Sequence, residues 1–90
     1  MPYITDEEKL RFIPALNELF GVMELGTTPG DLNYLFTRIA HEYIRVKGLR
    51  YVYLNDVVGA LDGAKVEFQR RVVAPYEDKK IALNGDVYGV

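Results

Sequence analysis

Ninety residues, 49% of them hydrophobic, carry a net charge of −2, which suits one folded domain and argues against a disordered chain. A chain this short hides only about 60–65% of its unfolded surface, so a thin core and stabilisation by a second copy are expected. With no cysteine and no serine, disulfides, thiolate metal sites and the two commonest nucleophiles are excluded, and the slight acidity disfavours general nucleic-acid binding.

The first helical pattern opens at "TDEEK", where Thr5 is spaced to cap a helix with Glu8 three residues on. Leu10, Ile13, Leu16, Leu19, Phe20 and Met23 then recur at helical spacing. Pro14 interrupts this run. It predicts a kink, or a short turn followed by a new helix with the proline in its first turn.

The second pattern begins at "TTPGDLNYLF". Thr28 can cap, Pro29 suits the first helical position, and Asp31 sits at the positive end of the helix. Leu32, Leu35, Phe36, Ile39, Tyr43 and Val46 form its apolar stripe, and Gly48 supplies the stop. A third helix is expected from about Tyr53 to Val73, with Leu54, Val58, Leu61 and Phe68 in the core. Gly59 and Gly63 lie four apart on one flank of that helix, which predicts close approach by another helix, in this chain or in a second copy. After Pro75 the chain is expected to leave the helix, although "PYEDKK" can begin a further helical turn. Residues 73–90 are expected as an ordered extension packed on the bundle, with a turn at Asn84–Asp86 and room for a short hairpin of "IAL" against "VYGV".

Charge is uneven along the chain. Residues 1–31 hold six acids against Lys9 and Arg11, whereas residues 38–50 hold Arg38, Arg45, Lys47 and Arg50 against Glu42 alone. Complementary helix faces or subunits account for this, and an anion-binding patch is the alternative. Tyr34, Arg38, His41 and Arg45 share one face of the second helix, where an imidazole between two guanidinium groups would suit a phosphate. Arg70, Arg71, Tyr76 and Asp78 gather around Pro75 in sequence and could form a small polar pocket with Asn33 or His41. No metal site or cofactor is expected. Asp56, Asp62 and Glu67 lack the paired carboxylate spacing of a helical Mg²⁺ site, and Glu67 is the carboxylate nearest to a candidate.

The segments "MPYI", "PGDLNYLFTRI…EY", "LNDVVGALDGAKVEFQRR" and "APYEDKK…NGDVYG" resemble, in order and across nearly the whole chain, a family of short uncharacterised proteins encoded by phages and bacteria. The resemblance implies a small, mostly helical, cytoplasmic or phage-expressed protein, and it brings no activity or catalytic residues with it.

The expectation is therefore a single all-α domain over residues 1–90. It is a three-helix bundle with its first helix broken near Pro14 and an ordered C-terminal extension. No apolar stretch approaches the ~20 residues of a membrane span, and "MPYITDEEK" lacks the pattern of a secretory signal, so a cytoplasmic location is expected. A non-enzymatic interaction or accessory protein is the leading functional reading. It would work as a homodimer through the Gly59/Gly63 face, with a protein partner. The alternatives are a nucleotide- or phosphate-binding enzyme of the Mg²⁺-dependent pyrophosphohydrolase kind, using the arginines and His41, and a weak nucleic-acid-binding module.

Overall fold

The computed structural model describes residues 3–89, so the outer ends of "MPYI" and "VYGV" lie outside the described residues. The described chain is all-α, with no strand among its residues. It divides into two units, residues 3–57 and residues 58–89, which are taken in turn.

In the N-terminal unit, α1 spans Asp6–Leu10 and α2 spans Ile13–Val22. The Thr5 hydroxyl accepts from the Glu8 N–H at 3.1 Å, and the Glu8 carboxylate accepts from the Thr5 N–H at 3.2 Å. Two backbone donors that no helical carbonyl can reach are satisfied in this way. Pro14 falls in the first turn of α2, where its missing N–H leaves no hydrogen bond unmade.

The third helix, α3 (Pro29–Lys47), opens on a second reciprocal cap. Thr28 accepts from the Asp31 N–H at 3.1 Å, and Asp31 accepts from the Thr28 N–H at 2.9 Å. Asp31 thus works as the far half of the cap, as well as lying at the helix end that favours a negative charge. Gly48 ends α3 at φ +111°, a conformation that strains residues carrying a Cβ, while its N–H bonds the Ile44 carbonyl at 2.7 Å. The next helix, α4 (Tyr51–Phe68), starts in this unit and passes into the second at Val58.

In the C-terminal unit the helix does not stop at Pro75. A π turn over Gln69–Val73 leads directly into α5 (Ala74–Asn84), with Pro75 in the opening turn of α5. In regular α-helix the proline ring would clash with the carbonyl four residues back, that of Arg71. The wider turn relieves the clash, and the Ala74 N–H bonds the Gln69 carbonyl, five residues back. The expected departure from helix after Pro75 is therefore replaced by continuation, and Ile81–Leu83, read as a hairpin arm, lie in α5. The helix ends at Gly85, at φ +87°, and Asp86 then closes a short turn by accepting from the Tyr88 N–H at 2.9 Å.

Burial departs further from expectation. No described side chain is fully buried. Of the residues expected in the core, Leu19 and Leu35 are half-buried, whereas Phe36 is 54%, Ile39 65% and Val58 66% exposed. Within the N-terminal unit the half-buried positions of α3 and α4 are Leu35, Ala40, Ile44, Tyr53 and Val57. Ala40 and Ile44 lie on the flank of α3 beside the Phe36–Ile39–Val46 row, and that row is left open.

Candidate interaction surface

Two members of the polar row on α3 pair along the helix, Arg38 with Tyr34 and Arg45 with Glu42 beside the row. Arg38 Nη1 donates to Tyr34 Oη at 2.6 Å, and the guanidinium carbon lies 5.6 Å from the Tyr34 ring centre. Arg45 grips Glu42 with two hydrogen bonds, Nε to Oε1 at 2.8 Å and Nη2 to Oε2 at 2.6 Å. That bond, ahead of the surrounding positive charge, holds the Glu42 carboxyl below its ordinary range and pushes Arg45 higher still. His41 is exposed on the same helix. The arginine most obviously available to an anion thus has its charge matched three residues away.

In the C-terminal unit Arg70 is engaged similarly, with Nε and Nη2 each 3.2 Å from a Glu67 oxygen. This occupies the carboxylate nearest to a metal ligand. Arg71 lies in the π turn, and Tyr76 and Asp78 lie on α5, with the Lys80 amine 5.5 Å from the Tyr76 ring centre. Asn33 and His41, the other members of the expected pocket, belong to the N-terminal unit. Among the described residues no group of three histidine or carboxylate side chains is placed to hold a metal ion. An open hollow on α2 is lined by Pro14, Asn17, Glu18, Gly21 and Val22, all from that one helix.

A cluster at the α3–α4 turn went unread in the sequence. Tyr43 Oη donates to Asp56 Oδ2 at 2.8 Å, and Tyr53 meets Tyr43 edge-on with ring centres 6.5 Å apart. The Lys47 amine lies 5.8 Å and 5.9 Å from the two ring centres. The hydrogen bond to Asp56, ahead of burial, raises Tyr43 above the ordinary tyrosine value. Both partners were visible, Tyr43 as core and Asp56 as a stray carboxylate. Their separation of thirteen residues across Gly48 hid the pairing.

What remains unoccupied is apolar. Phe36, Ile39 and Val46 line α3, and Val58, Leu61, Val66 and Phe68 are spread around α4, each more than two-fifths exposed. No described helix is long and apolar enough to cross a membrane.

No curated protein and no solved structure matches the chain. A family does, over residues 1–87, and with nearly the full length covered the chain belongs to the family described as Domain of unknown function (DUF6899).

Proposed function

We propose that the protein is a non-enzymatic interaction module that acts as a homo-oligomer. The observation that carries this reading is the set of large apolar side chains left more than two-fifths exposed, Phe36, Ile39 and Val46 on α3 and Val58, Leu61 and Phe68 on α4. The bare flank of α4 supports the same reading. A Cβ built at Gly59 meets no atom of the chain within 4 Å, so this helical glycine makes no close contact of its own and leaves room for a helix of a second copy. The pairing of Arg45 with Glu42 and Arg70 with Glu67 removes two of the cations that a phosphate-handling site would need.

Sedimentation equilibrium of the full chain over a wide concentration range tests the reading. A dimer or higher species should dominate at micromolar protein. A monomer at every concentration would refute it. A thermal-shift series with nucleoside triphosphates and Mg²⁺ tests the non-enzymatic half. Stabilisation accompanied by turnover would instead assign Arg38, His41, Arg70 and Arg71 to a site.

A further inference from the structure

We propose that Asn84–Gly85 is a site of spontaneous covalent modification, at which the Asn84 side chain closes onto the Gly85 backbone nitrogen and reopens as aspartate or isoaspartate. The reaction needs a carboxamide open to water, a following residue with no side chain to crowd the attacking nitrogen, and a backbone free to bring that nitrogen to Cγ. Asn84 and Gly85 are both exposed, and α5 ends between them. Gly85 has already left the helix at φ +87°, and its N–H bonds the Ile81 carbonyl at 2.8 Å, the closing bond of α5. The other asparagines do not meet these conditions. Asn17, Asn33 and Asn55 lie inside α2, α3 and α4 and precede Glu18, Tyr34 and Asp56. Each of those following nitrogens sits within a helical turn and is crowded by its own residue's side chain.

The bond from Gly85 to Ile81 is the gate. Helix ends open locally at small cost, and the last turn of α5 has only to fray for the backbone at Asn84 to turn. The Gly85 nitrogen then gives its proton to hydroxide and attacks Asn84 Cγ. As the new C–N bond forms, the carboxamide C–N bond breaks, and the departing nitrogen takes a proton from water and leaves as ammonia. A cyclic imide remains, which one water opens. Opening at the side-chain carbonyl gives aspartate, and opening at the backbone carbonyl gives isoaspartate, whose chain runs through Cβ and Cγ. Either product places a carboxylate at the end of α5 that disfavours negative charge, two residues from Asp86. Isoaspartate also lengthens the backbone by a methylene, which carries the Gly85 N–H off the Ile81 carbonyl. The closing bond of α5 is lost in a one-way step that needs no enzyme.

The test is to incubate the full chain at mildly alkaline pH and follow it by isoelectric focusing and by peptide mapping with mass spectrometry. Residue 84 should convert ahead of positions 17, 33 and 55, as a mixture of aspartate and isoaspartate, and each converted chain should gain one negative charge. The rate should rise with pH, because the attacking nitrogen must lose its proton. Unfolding the same chain in urea should speed conversion at residue 84, because it opens the gate. Asn84→Gln, whose longer side chain closes a less favourable ring, should lose the reaction at that position. Amide exchange at Gly85 should quicken in the isoaspartate fraction. No conversion at residue 84 in the folded chain, or conversion spread evenly over the four asparagines, overturns the site. Aspartate without isoaspartate would mean direct hydrolysis of the carboxamide and overturns the cyclic route. Equal rates in the folded and urea-unfolded chain overturn the gating by the end of α5.

Discussion

In the N-terminal unit helices stop where something stops them. Thr5 and Thr28 close two helix starts by reciprocal bonds, and Gly48 turns the chain away at φ +111°. In the C-terminal unit the helix meets Pro75 with no cap and no glycine beside it, and it widens and carries on. The difference teaches that a proline removes a hydrogen bond without by itself supplying an alternative path. Where the next residues offer none, a π turn costs less than an exit from the helix.

The sharpest way to break that comparison is Pro75→Ala. Proline in a helix interior lies about 3 kcal/mol below alanine, so the variant should gain up to about that much stability if the π turn is the proline's doing. Urea unfolding at fixed protein concentration measures the gain, and amide exchange over residues 69–73 should slow with it. Unchanged stability would mean that residues 69–73 widen for their own reasons, and the contrast between the units would lose its cause.

A pair of glycine substitutions probes the same point at smaller scale and with opposite signs. Gly48→Ala forces a side chain into φ +111° and should destabilise by about 1 kcal/mol or more. Gly21→Ala sits in α2, where a new Cβ meets nothing within 4 Å, and should stabilise by about 0.5–1 kcal/mol. Thermal melts of both at one concentration suffice. Two changes of the same sign would show that backbone conformation is not what ends α3.

This contrast also marks what could be read from residues alone. The starts of α1 and α3 and the end of α3 were legible, because a threonine before an acid three residues on, or a glycine after a lysine, acts through local bonds that spacing reveals. The course past Pro75 was not, since the rule for proline counts the lost bond and omits the option of a wider turn. Burial was not legible either. The periodicity of Phe36, Ile39 and Val58 says that these side chains need cover and is silent on whether the same chain supplies it. Among the polar residues, the pairing of Glu67 with Arg70 follows from their spacing of three, whereas the bonds of Arg38 to Tyr34 and of Arg45 to Glu42 were not read from the sequence.

The smallest effect concerns the hydrogen bond between α3 and α4 described above, and its pH dependence gives it a signature. Tyr43 donates to Asp56 and titrates above the ordinary tyrosine value of 10.0. A raised value means that the neutral phenol is favoured in the folded chain, so the bond contributes fully below pH 10.0 and is lost as pH climbs through the raised value. Glu42 runs the other way. Held below 4.5 by Arg45, it contributes above that pH and loses its share as pH falls through the lowered value. Both groups are exposed and screened, so each effect is modest. Melting curves of the wild type and Tyr43→Phe should therefore differ near neutrality and converge well above pH 10, with the acid limb the same in both. The phenylalanine keeps the ring beside Tyr53 and Lys47, so the difference isolates the hydroxyl. A separation that persists into strong alkali would assign Tyr43's contribution to ring packing, and the bond to Asp56 would then not be what joins the two helices.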